Sequence, residues 1–290
     1  MVNYATEVLY AYSYPEGVAK KEGNNVASLI YNCLEENNRL SLAEDHGPGK
    51  KLSLIFDNCS GQNKNRMVIR FWQYLVDKGI FKEVEIIFLI TGHTKNICDR
   101  RFKDLKQNFH HRNVYTFEQL TAVMKEGKCG QDSNQLLSVH AVEAKAFYNW
   151  DKYLDLLYRK RIPSISTYHY FRFTDSDAEM KTTFTSEATT KLKFCNLKKK
   201  ATEEDKLIWE NNLKNQTPEQ EQSPGLAEIK QVEVFTKWRT FVPEEVRDEI
   251  CPKPSQHVLD KIKNERKEKN KVKLEALRKL KQGDVDSAAI

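Results

Sequence analysis

Apolar positions recur with two different periods along the first half of the chain, and the alternation of those periods predicts a layered α/β unit. Tyr4 to Tyr12 alternates Thr6, Val8 and Tyr10 against Ala5, Leu9 and Ala11 and reads as a strand ended by Pro15-Glu16-Gly17. From Asn25 to Leu40 the spacing lengthens, with Val26, Ile30, Cys33 and Leu34 on one helical face, until Gly and Pro in "EDHGPGK" break it. Lys51 to Phe56 is a short Leu- and Ile-rich strand. After it Met67, Val68, Phe71, Trp72 and Leu75 trace a helix that begins near Asn65 and stops at Gly79. Val84 to Thr91, "VEIIFLIT", is apolar enough for the middle of a covered sheet. A third helix carries Cys98, Phe102, Leu105 and Phe109 on one stripe.

Strand, helix, strand in this order is a βαβ unit, because parallel strands need a crossover of about a dozen residues or more. Asp57, in "LIFDNCSGQNKNR", then stands at the carboxyl end of a strand, the edge at which open α/β sheets bind ligands. Farther along, the pattern predicts a helix through "LLSVHAVEAKAFYNWDKYLDLLYR" and an alternating aromatic strand at "YHYFRF", Tyr168 to Phe173. The expected organisation is a core over 1–125, a helix-and-strand extension over 126–190 packing on it, and a charged, Pro/Gln-rich linker or mobile loop over 191–231. A C-terminal segment, 232–290, follows, with an apolar and aromatic piece from Val232 to Val242 and a basic helix from Asp260 to Lys281.

Composition narrows the classes. The 290 residues, 39% of them hydrophobic, are enough for one large domain or a domain with appendages. No run approaches the roughly 18 apolar residues of a membrane helix, and the amino terminus lacks a basic region followed by an apolar stretch. A soluble intracellular protein is the expectation. Six scattered cysteines without a C-x-x-C pair argue against a zinc ribbon or a dense disulfide framework, so reduced thiols are expected. The net charge of +6 admits a polyanionic partner. Much of it sits in the last helix, where Lys271, Lys273, Arg278 and Lys279 fit either a solvated tail or contact with nucleic-acid phosphates. That basic tail is the ground for expecting a nuclear location.

Phosphodiester chemistry with hard cations needs carboxylate oxygens converging from several elements. Asp57 is one candidate, and Asp99, beside the apolar stripe of the third helix, is another. His93 stands at a strand exit, within reach of a metal, a phosphate or a water. Each has a plain alternative. Asp57-Asn58 is a good turn former, Asp99 favours the positive end of its helix, and His93 suits a loop hydrogen bond. "GQNKNR" fits a helix cap as well as a phosphate contact by Lys64 and Arg66. "HGPGKK" only echoes a phosphate loop, G-x-S-x-G, H-E-x-x-H and G-x-G-x-x-G are absent, and a zinc site from Cys59, His93 and Cys98 lacks useful spacing.

"DNCSGQNKN" and "GHTKNICDRRFKDLK", with "EGVAKKEGNNVASLI", "NVYTFEQL" and "IPSISTYHYF", together resemble a family of transposon-associated proteins described as a domain of unknown function. Its core is related to the RNase H-like DDE transposases and integrases. The resemblance implies an α/β fold with an RNase H-like mixed sheet and flanking helices, followed here by a C-terminal helical extension. It also implies Mg²⁺ or Mn²⁺ held by Asp57 and Asp99 as second and third acids, with His93 contacting water or phosphate. DNA is the implied partner, its backbone met by Lys64, Arg66, Lys95 and Arg100. In that scheme the first acid lies on the first strand of a meander, whereas this chain opens on the last, and Glu7 is in the wrong strand to replace it. The expectation is therefore a core truncated at its amino terminus, with little or no strand-transfer activity. The rival readings are a noncatalytic nucleic-acid or protein binding module and a relic without a maintained role.

Overall fold

The computed structural model describes residues 1–41, 50–90, 97–126, 137–175, 177–197 and 201–287, with backbone alone at residue 104 and from residue 276 onward. Strand β1 (Leu9–Ser13) and helix α1 (Gly23–Glu36) precede the predicted βαβ unit, β2 (Lys51–Phe56), α2 (Arg66–Asp77) and β3 (Glu83–Phe88). β2 and β3 pair in parallel, with Lys51 opposite Glu83 and Phe56 opposite Phe88. Helices α3 (Ile97–His110) and α4 (Phe117–Glu126) lead to β4 (Leu137–Ala141) and α5 (Trp150–Leu154). Strands β5 (Tyr170–Phe173), β6 (Ala178–Lys181) and β7 (Thr190–Leu192) then extend the sheet in antiparallel fashion, giving the order β2-β3-β5-β6-β7. The result is a mixed α/β fold.

Alternation decides which face is covered. Leu52, Leu54 and Phe56 face the helices, as do Val84, Ile86, Phe88, Phe171 and Phe173, and every residue of α2 from Met67 to Val76 is buried. Trp150 of α5 meets Phe71 of α2 edge-on at 4.8 Å. Each such side chain contributes roughly 1.5–3 kcal/mol by leaving water. The run through α2 also contains Arg70, which is fully buried. Its guanidinium donates to Asp151 Oδ1 at 2.6 Å and Asp155 Oδ1 at 2.7 Å, while Lys160 reaches Asp155 at 2.7 Å. Burial opposes ionisation of Asp155, but hydrogen bonds from Lys160 and Arg70 outweigh it and hold the carboxyl below its ordinary range.

The opposite sheet face is polar. Ion pairs cross all five strands from Lys51 to Glu83 (3.2 Å), Glu83 to Arg172 (2.5 Å), Arg172 to Glu179 (3.5 Å) and Glu179 to Lys191 (3.4 Å). Beside them Ser53 Oγ and Tyr170 Oη both donate to Glu85. β3 thus has the interior position its apolar run predicts, with one face covered by helices and the other by this charge ladder.

Three expectations differ from the structure. The first strand is shorter than Tyr4 to Tyr12, because a turn precedes it and Glu7 takes a left-handed φ of 54°. The helix expected from Leu136 to Arg159 is divided into β4, a 3-10 turn at Ala144–Ala146 and the short α5. Leu137 and Val139 alternate with Ser138 and His140, a period of two that suits the parallel pairing of β4 with β1 in a separate two-stranded sheet. Finally, much of the segment expected to be a linker is ordered against the core. Within it α6 (Glu203–Asn215) starts with a Thr202–Asp205 capping box, buries Leu213 and donates Trp209 Nε1 to the Leu157 carbonyl at 2.9 Å. An extended strap then follows, with Asn149 N donating to Glu219 O, Glu221 N to Phe147 O and Gly225 N to Gly17 O. Backbone hydrogen bonds of this kind are independent of composition.

The C-terminal region is helical, comprising α7 (Glu228–Glu233), α8 (Glu244–Ile250) and α9 (Gln256–Ser287). Ile262 is buried where α9 crosses α7, and Lys261 pairs with Glu228 at 2.6 Å. No helix among the described residues is long and apolar enough to cross a membrane.

Two stability predictions follow from buried charge. Arg70→Ala removes one charge-assisted hydrogen bond from each of Asp151 and Asp155, which keep Arg66 and Lys160 as partners, so the expected loss is about 3 kcal/mol, read by denaturant unfolding. Asp77 accepts from Gln73 Nε2 and Tyr158 Oη, yet burial dominates and pushes its carboxyl up to about 6 from 3.8. A raised acid favours the folded state while protonated, so this contribution is complete below pH 3.8 and is lost as pH rises through about 6. Unfolding free energies measured against pH should show that decline in the wild type relative to Asp77→Asn. Parallel profiles would refute it.

Candidate functional site

The loop after β2 explains its own composition. Asp57 is exposed at the carboxyl end of the strand, and the Asn63 side-chain amide donates to its Oδ1. The backbone N–H groups of Gln62, Asn63 and Lys64 converge on the Cys59 carbonyl at 3.3, 2.8 and 3.0 Å, closing a tight turn. Asn65 caps α2, its Oδ1 accepting from Met67 N and Val68 N at 3.0 Å each while its Nδ2 donates to Gln62 O at 3.1 Å. The first turn of α1 packs directly on this cap. A Cβ at Gly23 would lie 2.8 Å from Met67 Cε and 3.0 Å from the Asn65 amide, so any larger residue there would have to displace these two side chains.

Lys64 does not point outward. It is 4% exposed, donates its ammonium to the Ser166 carbonyl at 2.9 Å and lies 5.5 Å from the centre of the Phe88 ring, and desolvation lowers its pKa. It ties this loop to the 3-10 turn Ile165–Thr167. Arg66 is half exposed and pairs with Asp151 at 3.2 Å.

Asp99 lies exposed in the first turn of α3, the helix that follows β3. Leu89 N donates to Phe56 O at 2.9 Å, so the β2–β3 pairing continues to the residue before Asp57, and the connection toward Asp99 leaves from the same sheet edge. The surroundings of the two acids nevertheless differ. Asp57 accepts from Asn63 in the loop that ends at the Asn65 cap on which Gly23 packs, whereas Asp99 stands on α3. Among the described residues no group of three or more His, Cys, Asp and Glu is placed to hold a metal ion.

His93 and Lys95 lie outside the described residues. Arg100 is exposed on α3, Lys271 and Lys273 are exposed on α9, and Arg278 and Lys279 belong to the same helix backbone. Sequence reading passed over Arg70, although a lone charge inside "MVIRFWQYLV" is a recognisable sign of a buried ion pair. Replacing the cap by Asn65→Ala should lower stability by about 1 kcal/mol in chemical denaturation. An unchanged midpoint would show that the cap is dispensable.

A protein family described as a domain of unknown function, DUF7869, matches residues 6–191. Neither the curated proteins nor the solved structures yield a match. The matched span runs from the turn before β1 into β7 and leaves α6 to α9 outside it.

Proposed function

The chain belongs to the DUF7869 family, and from that premise we propose that it is a transposon-derived, RNase H-like DNA-processing domain of DDE type, with Asp57 as a ligand of Mg²⁺ or Mn²⁺. The observation that supports this most directly is the position of Asp57. An exposed carboxylate stands at the carboxyl end of a parallel strand pair, with one oxygen oriented by Asn63. Mg²⁺ is commonly held by one or two carboxylates, with waters and substrate phosphates filling its remaining positions, so an incomplete protein ligand set is compatible with a weak site. When bound, the ion supplies positive charge against a phosphodiester. Arg100, Lys271 and Lys273 contact backbone phosphates in this reading, a salt-dependent and sequence-blind contribution.

A third carboxylate has a place to enter. β2 is the terminal strand of the five-stranded sheet among the described residues, and a further acid-bearing strand paired along it would bring that acid beside Asp57. A second reading, a noncatalytic nucleic-acid binding module, is supported by the Asn63 contact, which by itself makes Asp57 a sufficient turn former.

Calorimetric titration of Mn²⁺ separates the two. Saturable binding that disappears in Asp57→Asn is the expected result, and its loss in Asp99→Asn as well would assign both acids to one ion. Binding indifferent to Asp57→Asn, or none up to millimolar ion, removes the metal reading and leaves the noncatalytic module.

A further inference from the structure

The two-stranded sheet carries a second polar cluster, separate from the five-stranded sheet that ends at Asp57. Parallel register sets Tyr10 beside Ser138 and Tyr12 beside His140. Alternation turns these four away from Leu9, Ala11, Leu137 and Val139, which pack with Leu105 and Met124. Glu36, the last residue of α1, closes over the polar side. Ser138 Oγ lies 2.6 Å from His140 Nε2, and His140 Nδ1 lies 3.3 Å from Glu36 Oε2. The Tyr12 ring stacks on the imidazole, 4.7 Å between centres and 15° from parallel, while its hydroxyl donates to Glu36 Oε2 at 2.7 Å.

Carboxylates only accept, so the Nδ1 facing Glu36 carries the hydrogen. Nε2 is then the acceptor, and the Ser138 hydroxyl donates to it. A hydroxyl, an imidazole and a carboxylate stand in the order that activates a serine nucleophile. A cavity of about 380 Å³ opens beside them, with Val8 and Tyr10 also on its wall, a volume within the range of small-molecule sites. Tyr10 Oη donates to Asn37 Oδ1 at 2.7 Å at the same wall.

We propose that Ser138, His140 and Glu36 form an acyl-transfer site that hydrolyses small carboxylic esters. Ser138 Oγ bonds to the ester carbonyl carbon as its proton passes to His140 Nε2, and Tyr10 Oη exchanges its contact with Asn37 for the developing oxyanion. Collapse breaks the bond to the alcohol oxygen, which departs with the proton from Nε2. Water then gives a proton to Nε2 and its oxygen to the acyl carbon, and release of the carboxylic acid returns that proton to Ser138. Glu36 and Tyr12 are positioning residues that fix the tautomer and plane of the imidazole.

The test treats the full chain, in EDTA, with a fluorophosphonate and with p-nitrophenyl acetate. The expected result is a single phosphonyl adduct on Ser138, located by mass spectrometry, and ester turnover that falls at least about 100-fold in Ser138→Ala and His140→Gln. Glu36→Gln should slow labelling and move its pH profile, which a purely structural role would not do. Labelling of the wild type needs no variant to fold. Absence of an adduct on folded wild-type Ser138, or turnover unaltered by Ser138→Ala, overturns the proposal. Since EDTA removes divalent ions, either outcome leaves the metal reading at Asp57 as it stood.

Discussion

The burial of one guanidinium sets the arrangement of the helical layer. Arg70 sits on the face of α2 that contacts no water, so its charge is tolerable only with Asp151 and Asp155 in place. Those two acids belong to α5 and its carboxyl cap, a five-residue helix far too short to persist alone. The backbone N–H of Asp151 also donates to Asn24 Oδ1 at 2.9 Å, and neighbouring Trp150 donates Nε1 to Ser28 Oγ at 3.1 Å. α1, α2 and α5 are thereby tied together around a single cation. The aromatic contacts among Phe71, Tyr74, Trp150 and Tyr153 fill the space this pairing defines.

That arrangement in turn fixes the edge at Asp57. With α2 held against α1, its amino end must be capped where Gly23 approaches, and Asn65 supplies the cap. Lys64 immediately before it is drawn under the loop to the Ser166 carbonyl. Folding thus engages several groups that a motif reading offers to a phosphate, and leaves Asp57, Asp99 and Arg100 at the surface. Charge that the fold has already satisfied is a poor guide to a ligand, whereas an exposed acid at a strand end is a better one.

Legibility of the sequence followed the range of the interactions. β2, α2 and β3 were readable because a covered face imposes period two or 3.6 on a local stretch, and Asn65 was a recognisable cap. β4 was not, since "LSVHA" satisfies both periods over so short a span and its pairing with β1 is more than a hundred residues away in sequence. The Gln-rich strap looked mobile because its anchors are backbone groups of Gly17, Phe147 and Asn149. At the site, the position of Asp57 on its strand was legible, but the Asn63 contact, the inward turn of Lys64 and the Ser138–His140–Glu36 cluster arise only from tertiary placement.

The polar sheet face bears on what the outer edge of β2 can accept. Lys51, Glu83, Arg172, Glu179 and Lys191 satisfy one another across all five strands, so this face needs no covering helix and gains little from a second apolar layer. The strand edge is different, because no strand among the described residues pairs along the outer side of β2. Such an edge presents unpaired N–H and C=O groups on which another strand can pair. A segment added there would extend the Lys51-to-Lys191 row by one residue, which must be acidic or neutral to avoid facing Lys51 with like charge. The same added strand would run past Phe56 to the level of Asp57, at the far end of β2 from Lys51, so the residue that meets the charge row and the residue that stands beside Asp57 are set independently of each other.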